Sequence, residues 1–204
     1  VNDIRLPVPY FAQWESAHLV PEFVNGTLRA EDDPAWAAWG SETPDEYAFW
    51  AGRTCGVACL RMVLAYRDGS APAPALITRE CVEAGAYVIE DDGVRGLIYA
   101  PFAEYVRARW NLAAIVHPQM TLPEVTATVV SGRPVMISVH GSIRYPAGQP
   151  AGKGGHLVLV VGYVDDHFLV HNPSGLPGIS QEFFRISADD LEGYFAGRGV
   201  VLAP

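Results

Sequence analysis

Between Cys55 and Tyr66 apolar residues recur at positions 55, 58, 59, 62, 63 and 66, and Arg61 and Arg67 fall opposite them. This three-and-four spacing predicts a helix with one buried face. A short rigid connector, APAPA at 71–75, follows. Beyond it the pattern predicts helices over 76–85, 97–110 and 122–132, the last stopped by Gly132. The period then changes. RPVMISVH (133–140), HLVLVVGYV (156–164), HFLVHN (167–172) and QEFFRI (181–186) are β-branched or aromatic runs bounded by Gly, Pro and Asp, and they read as strands of an antiparallel sheet. A largely helical first half and a β second half predict an α+β fold, with a cleft where the two halves meet.

Two segments precede this pattern. RLPVPYFAQW at 5–14 carries two prolines in an alternating apolar context and reads as an extended edge segment. From Glu15 to Arg53 the periodicity dissolves, with helical turns expected near 34–39 and 44–51. This stretch holds Trp36, Trp39, Tyr47, Phe49 and Trp50 among the acids Glu15, Glu22, Glu31, Asp32, Asp33, Glu42, Asp45 and Glu46. Large aromatic side chains in a weakly patterned insert need cover, which packing over a groove supplies. Two readings stand side by side. The insert is a lid lining a site suited to basic or apolar peptides, or its rings pack on the helical half and only add stability. The expected organisation is a single domain over 1–204, with an insert at 14–53, a mainly helical half at 55–132 and a mainly β half at 133–204.

Composition narrows the function. A chain of 204 residues, half of them hydrophobic, buries a sizeable core without staples. Its formal charge is −9 and its basic residues are scattered singly, which argues against a nucleic-acid partner. The longest apolar runs, such as Leu157 to Val164, are too short to cross a bilayer. VNDIRLPVPY shows no export signal, although a chain beginning at Val1 is compatible with an earlier segment having been removed. Three cysteines without a C-x-x-C pair argue against a disulfide framework and a zinc site. A soluble cytoplasmic protein needing no cofactor is expected.

The candidate chemistry begins with Cys55, placed where the helix starts. Unsatisfied N–H groups there favour a thiolate and lower the thiol pKa. Taken alone, the residue is equally a small core cysteine, as Cys59 and Cys81 are read. A nucleophilic thiol needs a base and a group to orient it. Of the six histidines, His156 follows GKGG and opens a buried strand, and His140, closing another, is its nearest rival. If VDD (164–166) is a three-residue hairpin loop, Val158 pairs with Asn172, which then shares a face with His156. A two-residue DD loop separates them unless a bulge restores the parity. Asn172, followed by Pro173, is otherwise an ordinary turn residue.

TCGVACLRMVLAY (54–66), preceded by VPYFAQW (8–14) and followed by GGHLVLVVGYVDDHFLVHNPSG (154–175), resembles the stand-alone relatives of the bacteriocin-processing, double-glycine-leader cysteine peptidases. The resemblance implies a papain-like fold in which Cys55 is the nucleophile, His156 the base, Asn172 the residue that orients the imidazole and Gln13 the oxyanion-hole side chain. In that family the glutamine lies a few residues before the cysteine, whereas here the aromatic insert separates Gln13 from Cys55. Many relatives also carry Asp-Pro where this chain has Asn172-Pro173. The implied activity is cleavage of a peptide or amide bond through an acyl-thioenzyme. An acyltransferase or ligase using the same intermediate and an inactive peptide-binding relative are the alternatives.

Overall fold

The computed structural model describes residues 3–91 and 93–203. Along them the elements run β1 (Ile4–Arg5), α1 (Val20–Asn25), α2 (Pro44–Ala51), α3 (Cys55–Asp68), α4 (Pro74–Glu83), β2 (Val88–Glu90), β3 (Gly93–Arg95), α5 (Tyr99–Trp110), β4 (Ala113–His117), α6 (Leu122–Val130), β5 (Val135–Val139), β6 (His156–Val164), β7 (His167–His171), β8 (Phe184–Ser187), α7 (Ala188–Tyr194) and β9 (Phe195–Ala203). The expected α3, α5 and α6 are present, and α4 starts two residues early because Pro74 occupies its first turn. Strands β5 to β8 match the four expected runs within a few residues.

Seven strands form one antiparallel sheet in the order β4-β9-β5-β6-β7-β8, and β1 pairs with β6. Two of its members come from outside the expected β half. Strands β1 and β4 come from the first half, and β9 lies between β4 and β5. Neither β4 nor β9 is evident in the sequence. AAIVH is too short to stand out beside its flanking helices, and two glycines and Arg198 interrupt FAGRGVVLA. The small β2–β3 hairpin was likewise not expected.

Helix α3 is buried more completely than a single apolar stripe implies. Gly56 to Leu60 and Met62 to Leu64 are all buried, because β6 packs on one side and α4 on another. Arg61, half-buried, donates to the Pro72 carbonyl at 2.8 Å and lies over the Phe11 ring.

The β6–β7 hairpin turns on two residues rather than three. Asp165 and Asp166 have φ of 47° and 58°, and Val164 pairs with His167. Left-handed backbone at both central residues is the turn whose twist suits a two-residue hairpin. A bulge between Val160 and Gly162 then restores the parity, so that Leu159 lies opposite His171 and Asn172 follows on. Gly162, next to the bulge, admits β1: a Cβ there would sit 2.6 Å from the Ile4 carbonyl oxygen.

The insert is fastened from within. Asp33, almost fully buried, accepts from the Ser16 N–H at 3.2 Å, the Ser16 hydroxyl at 2.5 Å, the Ala35 N–H at 2.9 Å and the Tyr47 hydroxyl. Tyr47 in turn accepts from the Glu15 N–H. Thr43 caps α2. Trp39, Tyr47 and Trp50 are buried in the main core, with Trp36 and Phe49 packed against it.

Burial works against ionisation of Asp33, but the bonds from Ser16, Tyr47 and Ala35 outweigh it and hold its carboxyl below the ordinary range. Asp33→Ala strands these donors and should destabilise the protein by about 2–4 kcal/mol in urea unfolding. Because the folded-state pKa is depressed, the wild-type advantage should be full above about pH 4 and shrink as pH falls through and below that value. An unchanged advantage down to about pH 2 would show that the carboxylate charge is not what holds the clamp.

Candidate active site

Helix α3 starts without a side-chain cap, since the Thr54 hydroxyl turns back to the Ala51 carbonyl. Its first-turn N–H groups are therefore open, and Cys55 is partly exposed on the wall of a cavity of about 730 Å³. Gly56 sets how closely the helix meets the sheet. A Cβ at Gly56 would lie 2.6 Å from a Leu97 methyl and 3.1 Å from a Leu157 methyl, so both side chains would have to shift to admit one. Cys59, one turn on, is buried with its sulfur 3.9 Å from the Leu157 carbonyl oxygen, and Cys81 is buried in α4.

Gly154 and Gly155, with φ of 82° and 92°, turn the chain into β6 at His156. This histidine lines the same cavity as Cys55 and is itself only 6% exposed. Its Nε2 lies 2.8 Å from Asn172 Oδ1 and 3.0 Å from Ser174 Oγ. The Ser174 backbone N–H also donates to Asn172 Oδ1, at 3.1 Å. A backbone N–H is only ever a donor, so this bond fixes which end of the Asn172 amide is oxygen. Nε2 of a neutral ring must then carry the proton, and Nδ1 keeps the lone pair.

Asn172 is fully buried, and its backbone and Oδ1 are bonded, while its Nδ2 has no partner among the described residues. Its N–H donates to the Gln181 carbonyl at 2.9 Å, and its carbonyl accepts from the Tyr10 hydroxyl at 3.0 Å and the Gly175 N–H at 2.9 Å. The rival His140 does something else: its Nδ1 accepts from the Ser142 N–H and caps the short turn at Gly141–Arg144. His171 is a core histidine bonded to the Val8 carbonyl and the Phe183 N–H.

Gln13 is buried beside this network. Its N–H donates to the Pro173 carbonyl at 2.9 Å, and the Trp39 indole donates to its own carbonyl at 3.1 Å. The insert thus returns to fix the residue it separates from Cys55 in sequence. Gln13 does not line the cavity that holds Cys55 and His156.

Two polar residues of the site were not singled out in the sequence. Ser174 stands in HNPSG, where the Asn-Pro turn gave a hint of a turn and none of a histidine contact. Arg144, a lone arginine in GSIRYP, gave no signal at all. Its Nε donates to the Ser174 carbonyl at 3.1 Å and to the Ser174 hydroxyl at 2.9 Å, and its guanidinium acts on both Cys55 and His156.

These surroundings work against the expected state of the thiol. Burial pushes the Cys55 pKa up, even though the backbone N–H groups of Leu157, Gly56 and Cys55 and the Arg144 charge pull it down. Burial also pushes His156 down to about 4, with Arg144 and His140 adding to the shift and Asn172 opposing it. Burial thus disfavours charge on both the thiol and the imidazole, against the thiolate expected from the helix start. The cavity wall bears on the lid reading of the insert. It carries Arg53, Arg95, Arg144 and Arg198, and none of the eight acids of the insert.

A helix-borne thiol and an amide-oriented histidine thus share one helix–sheet cavity. The chain belongs to the Peptidase_C39 like family, which it matches over residues 5–182. A crystal structure described as a C39-like peptidase from Bacillus anthracis superposes with a TM-score of 0.62 at 14% identity, covering 100% of this chain and 98% of that one. The peptidase domain of Streptococcus ComA, a bi-functional ABC transporter of a quorum-sensing pathway, gives 0.52 at 17% identity over 75% of this chain and 93% of its own. At these identities the likeness establishes the fold. No curated protein matches the chain. Among the described residues no helix is long and apolar enough to cross a membrane.

Because the Cys55 pKa is raised, its alkylation by iodoacetamide should keep climbing with pH through the ordinary thiol range, with no acid-side plateau. Arg144→Gln removes a charge that favours the thiolate and should slow alkylation severalfold at neutral pH. A rate that matches wild type at every pH would show that Arg144 does not act on the thiol.

Proposed function

We propose that this protein is a cysteine hydrolase that cleaves a peptide or amide bond through an acyl-thioenzyme, with Cys55, His156 and Asn172 as its triad. The observation that carries the reading is the fixed tautomer of His156, whose basic Nδ1 belongs to a ring on the same cavity as Cys55. In this reading Nδ1 takes the thiol proton as the sulfur attacks the substrate carbonyl, because a thiol whose charged form burial disfavours needs general-base assistance at the moment of attack. The imidazolium is stabilised by the Nε2–H bond to Asn172 and returns its proton to the leaving amine. Water then attacks the thioester, the imidazole taking the proton from it, and the acid and the free thiol are released.

The tetrahedral oxyanion needs donors that are in place beforehand. The Cys55 N–H, open at the start of α3, is one, and the Gln13 side-chain amide is the second. Each such donor contributes on the order of 3 kcal/mol to the transition state. The bonds from Gln13 to Pro173 and from Trp39 to Gln13 support this role, because they tie the glutamine backbone to the turn that carries Asn172.

An acylating activity probe, with the labelled residue located by peptide mapping, tests the assignment. Cys55→Ala should abolish labelling, whereas Cys59→Ala should retain most of it. Equal loss in both would refute the nucleophile. His156→Ala should lower turnover by roughly 10²- to 10⁴-fold, and His140→Ala should not. Asn172→Ala should be milder than His156→Ala. Gln13→Ala should reduce kcat by about 10²- to 10³-fold while leaving Cys55 alkylation intact. The product mass separates hydrolysis, which adds water, from transfer, which joins an acceptor amine.

A further inference from the structure

The chain carries 23 acidic and 14 basic residues, yet among the described residues its cavity is lined by four arginines and no aspartate or glutamate. Six ion pairs occur among the described residues, and none involves Arg53, Arg95, Arg144 or Arg198. Two of the four are anchored by neutral groups instead. Arg144 gives its Nε to Ser174, and no hydrogen bond among the described residues engages its two Nη nitrogens. Arg53 lies over the Phe49 ring and donates to the Phe49 carbonyl. The Arg198 Nη2 lies 3.1 Å from where a Gly154 Cβ would be. Glycine at 154 thus lets a guanidinium lie against the turn that delivers His156.

Neutral anchors hold a guanidinium in place without cancelling its charge. Apolar walls from Leu97, Leu157, Val94 and Val116 keep the field inside the cavity. Positive charge of this kind disfavours the basic peptides that the acidic insert suggested. It matches a planar anion that a guanidinium fork binds through two hydrogen bonds.

We propose that the cavity selects substrates bearing a carboxylate close to the bond that is cleaved, with Arg198 and Arg95 as its specificity-determining residues. This rests on Cys55 being the nucleophile of the cavity and adds the substrate class to that reading. The carboxylate is either an acidic side chain or the free terminus of a peptide.

The test begins with two reagents that differ in charge. Iodoacetate and iodoacetamide both place a CH₂ group on the Cys55 sulfur and release iodide, but only the first is an anion. The ratio of their rates at Cys55, divided by the same ratio for free cysteine, should exceed 1 by on the order of tenfold at low salt and fall as salt is added. Arg95→Gln combined with Arg198→Gln should collapse the ratio, each rate being referred to the same variant's iodoacetamide rate and the variant's fold checked by its thermal midpoint. A wild-type ratio equal to that of free cysteine, or one the double variant does not alter, overturns the proposal whether or not the protein hydrolyses anything. Peptides matched as Glu against Gln, and as free acid against terminal amide, then identify the source. The pair whose acid form gains in kcat/KM, chiefly through KM, names the carboxylate. Equal turnover of both pairs overturns the substrate assignment. If iodoacetate is favoured but no peptide is cleaved or acylates Cys55, the anion site stands and the hydrolase reading falls.

Discussion

One acceptor atom organises the site. Asn172 Oδ1 receives the Ser174 backbone N–H and faces His156 Nε2, so a single turn settles the amide orientation, the imidazole tautomer and the position of the ring's basic nitrogen. Much of the surrounding structure serves to bring that atom to that place. The bulge after Val160 gives Asn172 the right face of the sheet, and bonds from Tyr10 and to Gln181 hold its backbone. Arg144 and Gln13 are tied to the same turn, through Ser174 and Pro173. A buried network of this kind stays ordered because each lost partner would leave a polar group unsatisfied in a low-dielectric interior.

The electrostatics follow from burial more than from charge. Helix-start N–H groups and a guanidinium favour a thiolate at Cys55, but desolvation outweighs them, and the same desolvation disfavours charge on His156. Excluding water therefore has two opposed effects. It withholds charge from the resting site and strengthens every interaction that forms once charge appears.

The legible part of the fold was the part written in periodicity: the α3 stripe, the four β-rich runs and the Gly-Gly entry to His156. Strands β4 and β9 were not legible, because a short strand between helices and a glycine-broken strand owe their form to neighbours, not to local pattern. The β6–β7 register was legible only as a condition, since the bulge that satisfies it leaves no mark in VVGYVDD. Cys55, His156 and Asn172 stood out through their positions at element ends and their family resemblance. Ser174 and Arg144 did not, because their contacts span 30 residues between themselves and depend on how loops fold back. The acids of the insert gave no sign of which residues line the cavity, for a related reason. Asp33 turned inward to its own clamp, and the arginines that line the cavity come from four separate segments of the chain.

The place of β9 has a consequence for biosynthesis. It lies between β4 and β5, and it carries Arg198 into the cavity wall. As the chain leaves the ribosome, α3, β5, β6 and the Asn172 turn all emerge before the strand that joins β4 to the rest of the sheet. The nascent protein therefore holds its thiol and histidine for a time beside an open sheet edge and an unfinished cavity. Closure waits for β9, so the cavity wall is completed only after the strands on either side of it have emerged.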